Sequence, residues 1–184
     1  MQHFFSRING HFTFPDFYEW LAANVCPEGP HIVEVGVFCG QSAAFLGVEL
    51  LRRCFSPRLD LVDKWNEEQV ALVRGNLAPI AECIGTMSGD GSLAAAARYV
   101  DGSLDAVFID ADHSYESVAS DIAAWLPKVR PGGIIAGHDF SPSFPGVMRA
   151  VHERFSRFEV WGGTPWKDTG ELFPVWCTEK ESRR

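Results

Sequence analysis

The 184-residue sequence is short of basic residues. Sixteen Lys and Arg stand against 24 Asp and Glu, a formal charge of −8 with a pI near 5.2. That shortage argues against a nucleic-acid partner, because duplex binding rests mainly on Lys and Arg neutralising phosphates. No apolar run approaches the ~20 residues of a membrane span, and the opening Met1–Arg7 lacks the apolar stretch of a signal peptide. The expectation is a protein without membrane contact, working in the cytoplasm. Five cysteines (Cys26, Cys39, Cys54, Cys83, Cys177) include no Cys-x-x-Cys pair. This reads as a reduced set, without a disulfide framework or a zinc site. Repeats and low-complexity segments are also lacking, and 12% aromatic residues with only 22% charged exclude a disordered chain.

What is there is an alternation of short apolar strands and helical stretches, within one domain spanning 1–184. Residues 1–30 form an aromatic and helical N-terminal extension, with a helix over Phe14–Val25 and Pro15 in its first turn. Strands are predicted at His31–Val35, Leu59–Asp63, Ala81–Met87, Asp105–Asp110, Ile134–Ala136, Phe158–Trp161 and Phe173–Thr178. Helices are predicted at Gln41–Cys54, Glu67–Leu77, Ser92–Val100, Ser117–Lys128 and Gly146–Phe155, with 179–184 a charged tail. Such an order implies an α/β, doubly wound, mostly parallel sheet covered on both faces. Only Gly162–Leu172 joins the last two strands, which predicts a final antiparallel hairpin.

In open α/β sheets, ligands sit outside the carboxyl ends of the strands. Five strands here stop at polar residues: Glu34/Gly36, Asp63, Gly89-Asp90, Asp110–His113 and His138-Asp139. The first stop, Glu34-Val-Gly-Val-Phe-Cys-Gly-Gln-Ser42, is not the dinucleotide pattern G-x-G-x-x-G. The later glycines of that pattern would fall on Phe38 and Gln41, which disfavours a pyrophosphate cradle. Gly36 and Gly40 let a ligand approach the backbone, Ser42 follows them, and Glu34 suits an ammonium directly or through water. Asp63 can accept both hydroxyls of a ribose, or cap the next helix. Asp90 can accept from an exocyclic amine, and Ser92 either assists or caps. A ligand with an ammonium, a ribose and an adenine satisfies the first three stops, and S-adenosylmethionine has those parts.

These segments, with Leu104–Glu116 and Asp121–Asp139, resemble the class I S-adenosylmethionine-dependent methyltransferases over roughly Gly10 to Cys177. They are most similar to small, single-domain sugar and antibiotic-intermediate O-methyltransferases. The resemblance implies a Rossmann-like seven-stranded sheet with an antiparallel last strand. It also implies cofactor over the first half, at Glu34, Gly36, Gly40, Ser42, Asp63, Asp90, Ser92 and Asp110. The acceptor, a small hydroxylated molecule, then belongs to the second half. In metal-dependent relatives an Asp ending the fourth strand joins two adjacent acidic or amide residues ending the fifth. Asp110 and Asp139 match that pattern; His138 departs from the oxygen-donor set. A site of Asp110, His138 and Asp139 for Mg²⁺ or Mn²⁺ is therefore one expectation, and a metal-independent site the other. His113, three residues beyond Asp110, is the candidate general base, with a structural role as its alternative. Phe12, Phe14, Trp161 and Trp166 are candidates for an acceptor wall or for core. A non-catalytic nucleotide or S-adenosylmethionine sensor is the competing class. The sequence is compatible with a monomer or a homo-oligomer.

Overall fold

The computed structural model describes residues 1–25 and 28–181. Cys26 and the end of the charged tail, 182–184, lie outside the described residues. The elements are α1 (Pro15–Asn24), β1 (His31–Val35), α2 (Gln41–Arg53), β2 (Arg58–Val62), α3 (Glu67–Asn76) and β3 (Ile84–Ser88). There follow α4 (Ser92–Ala96), β4 (Leu104–Ile109), α5 (Tyr115–Trp125), β5 (Val129–Gly137), α6 (Pro145–Arg154), β6 (Glu159–Trp161) and β7 (Val175–Glu179).

The strands form one seven-stranded sheet in the order β3-β2-β1-β4-β5-β7-β6. β1 to β5 run parallel, and β7 lies antiparallel to both of its neighbours. The winding reverses between β1 and β4, so a crevice opens there at the carboxyl edge of the sheet.

Local chemistry sets the helix starts. Pro15 and Pro145 open α1 and α6, where a missing N–H costs nothing. Asn66 and Gln69 form a reciprocal capping box on α3. The Ser114 side chain accepts from the Ser117 amide, so α5 begins at Tyr115, ahead of the predicted Ser117. Strand residues alternate between two apolar layers. Ile32, Ala106 and Phe108 join the α1 and α2 side with Phe17, Leu21 and Leu46; Val33, Val107 and Ile109 join the α5 and α6 side with Ile122, Trp125 and Val151. Fully burying each of the Val, Leu, Ile and Phe side chains among them contributes roughly 1.5–3 kcal/mol. The four described cysteines are free thiols.

Other boundaries differ from the periodicity too. The alanine-rich stretch predicted as a helix to Val100 is helical only over α4, because Tyr99 turns its hydroxyl onto Asp60 Oδ2 at 3.1 Å. Asp60 is a buried hub: it also accepts from His31 Nε2 at 2.7 Å, Arg58 Nε at 3.0 Å and the Thr86 amide at 2.6 Å. Residues 81–83 of the predicted third strand instead follow a 3-10 turn at Ala78–Ile80. β5 is longer than Ile134–Ala136, since Gly132 at φ +72° lets the Pro131-Gly132-Gly133 bend stay within the ladder.

Candidate active site

The crevice is a cavity of about 1230 Å³. Its first wall is the β1–α2 turn. Gly36 takes φ +87°, and a Cβ there would stand 1.8 Å from the Asp110 carbonyl oxygen. Only glycine lets the ends of β1 and β4 meet this closely. Gly40, at φ +89°, is the residue from which α2 starts. Asp63, just past β2, ties this turn down: its Oδ2 accepts from the amides of Val37 (2.9 Å) and Phe38 (2.7 Å), and its Oδ1 from Lys64 N (2.6 Å).

Gly36, Ser42, Asp63, Asp90, Ser92 and Asp110 all line the cavity. Glu34 does not; it is fully buried behind Ser42, whose hydroxyl donates to Glu34 Oε1. Burial pushes the Glu34 carboxyl up to about 8, against the lowering effect of the Ser42 hydrogen bond. Gly40 lies outside the lining and packs on Leu77. Asp90 accepts from Ser88 Oγ at 2.9 Å and pairs with Arg98 at 2.6 Å. Gly91 precedes α4 as its cap residue, while Ser92 Oγ accepts from Trp125 Nε1 at 2.8 Å. Asp121 of α5, buried and raised by burial, also faces the cavity. Reading strand ends alone overlooks it, because it sits mid-helix.

The second half gathers Asp110, His113, His138 and Asp139. His138 is 8% exposed, with its ring 4.5 Å from that of Phe14. Its Nδ1 faces Asp139 Oδ1 at 3.2 Å and Asp110 Oδ1 at 3.5 Å, and its Nε2 faces Thr13 Oγ1 at 3.3 Å. Burial pulls the imidazole pKa down, but the two carboxylates outweigh it and lift it to about 10. Asp139 holds φ +60°, a left-handed conformation that Asp tolerates better than most side chains. His113 is exposed; its Nε2 lies 2.7 Å from Asp139 Oδ2 and its ring 4.2 Å from Phe144. Asp112, also in the lining, accepts from the Ser114 amide at 2.7 Å. The donor atoms that come within 4.8 Å of one another are those of Asp110, His113 and Asp139, without His138.

The rim joins distant segments. Phe12 and Trp166 line the cavity, whereas Phe14 is core and Trp161 packs on Trp20 at 5.1 Å. His11 stacks on Trp166 at 4.5 Å, and Phe144 and Phe173 complete the aromatic side. The Phe12 amide donates to Gln41 Oε1 (3.1 Å) and the Thr164 amide to the Thr13 carbonyl (2.6 Å), which hold the N-terminal segment across the cavity. No periodicity in residues 10–13 announces this role. Asp63, Asp90, Asp110, Asp112, Glu116, Asp121 and Asp139 line the cavity, against Lys64 as the single Lys or Arg among its described lining residues.

The strand order, the lone antiparallel strand and an acidic cavity at the switch point define a class I S-adenosylmethionine-dependent methyltransferase. A family model described as a methyltransferase domain matches residues 33–140, more than half of the chain, and the chain belongs to that family. No curated protein matches the sequence. Among solved structures, it is similar to an S-adenosylmethionine-dependent O-methyltransferase from Thermotoga maritima: 18% identity, 96% of this chain and 69% of that one, TM-score 0.68. An rRNA methylase from Streptococcus thermophilus is similar at 16% identity, with 94% and 100% covered and a TM-score of 0.68. A Streptococcus mutans protein solved in complex with SAH follows at 14% identity, with 92% and 99% covered and a TM-score of 0.66. At these identities the structural likeness speaks for the fold.

Proposed function

We propose that this methyltransferase acts on a hydroxyl of a small molecule that carries no net negative charge. The observation that carries this reading is the His113–Asp139 pair at 2.7 Å, beside Asp110 in a cavity lined by carboxylates. The cofactor fits the first half on the chain's own terms. The turn at Gly36 holds no side chain, Ser42 offers a hydroxyl, and carboxylates favour a ligand bearing a sulfonium and an ammonium. When bound, S-adenosylmethionine supplies a methyl group on sulfur, open to in-line attack.

Each residue then has a task. Ser42, backed by the buried Glu34, faces the amino-acid end. Asp63 keeps acceptor capacity on Oδ1 for a ribose hydroxyl while holding the turn through Oδ2. Asp90 and Ser92 mark the adenine end. His113 takes the acceptor proton: with Nε2–H donated to Asp139, its lone pair stands on Nδ1, so Asp139 sets the tautomer as well as the orientation. Phe12, Trp166 and Phe144 provide an apolar wall that positions the acceptor and excludes water.

The Streptococcus thermophilus neighbour described as an rRNA methylase raises an RNA substrate. Seven carboxylates facing one lysine oppose it, because a phosphate backbone needs the reverse balance. The test is methyl transfer from labelled S-adenosylmethionine to two pools, ribosomal RNA and a set of neutral and amine-bearing polyols and phenols. Label is expected on hydroxyls of the small-molecule pool. Label on RNA with none on small molecules would overturn the assignment.

A further inference from the structure

The carboxylates of Asp110 and Asp139 end neighbouring parallel strands, and like charges held so near call for a cation between them. In metal-dependent relatives of the resemblance that cation is a divalent ion. Here the donor set does not fit one. Asp139 engages both of its oxygens already, Oδ2 with His113 Nε2 at 2.7 Å and Oδ1 with His138 Nδ1 at 3.2 Å. The three groups with donor atoms within 4.8 Å include His113, whose lone pair cannot both ligate a metal and take a proton from the acceptor. The residue standing where relatives place an oxygen donor is an imidazole, a poor partner for Mg²⁺.

His138 is held for a different task. Its ring is fixed from behind by Phe14 and by Thr13 Oγ1 on Nε2, while Nδ1 points between the two carboxylates, 3.2 Å from one and 3.5 Å from the other. A nitrogen facing two acceptor oxygens carries its hydrogen there and has no lone pair to offer a metal. We propose that the His138 side chain takes the place of the divalent cation: its Nδ1–H bridges Asp110 and Asp139, so the acid pair is assembled without a metal and methyl transfer needs none. His138 is thus a positioning residue, acting through the two aspartates, and the inference rests on the methyltransferase reading of the cavity. Thr13 extends the device outward. Its carbonyl accepts from Thr164 N, so the same bridge anchors the segment that covers the acceptor side.

The experiment titrates the purified protein with Mn²⁺ and follows free Mn²⁺ by electron paramagnetic resonance, with calorimetric binding of S-adenosylhomocysteine on the same samples. The wild type is expected to show no saturable Mn²⁺ binding into the millimolar range. His138→Asp, which restores an all-oxygen donor set, is expected to bind one Mn²⁺ saturably, at least ~10-fold below the highest concentration at which the wild type shows none. Should that variant not fold, His138→Glu replaces it. Saturable Mn²⁺ binding by the wild type that Asp110→Asn abolishes would overturn the proposal. So would a folded His138→Asp protein, competent for S-adenosylhomocysteine, that takes up no Mn²⁺. Failure of the wild type to bind S-adenosylhomocysteine would strike the methyltransferase reading instead, and the Mn²⁺ titration separates the two.

Discussion

The Asp63 carboxylate accepts a hydrogen bond from the Phe38 amide at 2.7 Å, so one acid at the end of β2 shapes the turn that follows β1. Phe38 can therefore hold φ +51° with its carbonyl on Trp65 Nε1 at 2.8 Å. The residue proposed to meet the cofactor ribose is also the strut of the loop beneath it.

Replacing Asp63 by Ala removes both duties. Hydrogen bonds to a charged group contribute roughly 1.5–3 kcal/mol each, so affinity for S-adenosylhomocysteine should fall at least ~10-fold. Asp63→Asn should lose less, because its amide oxygen still accepts from Val37 and Phe38. Titration calorimetry on folded variants checks both, and unchanged affinity in Asp63→Ala would remove the residue from the cofactor site.

The role of His113 is open to a cleaner separation. His113→Ala should lower kcat by roughly 10²–10⁴, the usual share of a positioned base. S-adenosylhomocysteine affinity should hardly change, since the ring is held by Asp139 and Phe144, which follow β5 and belong to the second half of the cavity. Near-normal kcat would return His113 to a loop-ordering role and leave proton removal to solvent.

Asp60, far from the chemistry, makes a pH prediction about stability. Burial alone would raise its pKa, but hydrogen bonds from His31, Arg58 and the Thr86 amide prevail and hold it at about 2 instead of 3.8. With the folded pKa depressed, the charged form contributes stability above the unfolded value, and that contribution is lost as pH falls through about 2. The shift corresponds to about 2 kcal/mol. Thermal unfolding of wild type and Asp60→Asn should show the wild type ahead at neutral pH, with the gap closing as pH falls from 3.8 towards about 2. A gap that does not change over that window would mean that the hub is held by packing.

Much of the fold follows from local rules. The first four strands, β-rich runs of five or six residues, are each followed directly by an acid or a glycine and then by a helical period, which leads to a parallel sheet with its ligand at the carboxyl edge. Gly36 and Gly40 show where the backbone turns left-handed, and Pro15 and Pro145 show where helices start, because φ preferences belong to the residue itself. Exact helix ends were less legible: four alanines favour a longer α4, and the hold of Asp60 on Tyr99 overrules them.

The identity of the acids and histidines at the strand ends was thus written in the sequence, but not their partnerships. Thr13 meets His138 across 125 positions, and His11 stacks on Trp166 from the other end of the chain. His113 and His138 read alike as imidazoles beside aspartates. The resemblance casts the first as base and the second as metal ligand, whereas the tertiary structure decides their surroundings, exposing one beside Asp139 Oδ2 and burying the other between two carboxylates. The physical reason is that residue type determines which bonds a side chain can make, whereas burial and the neighbours supplied by other strands determine which it does make, and with which charge.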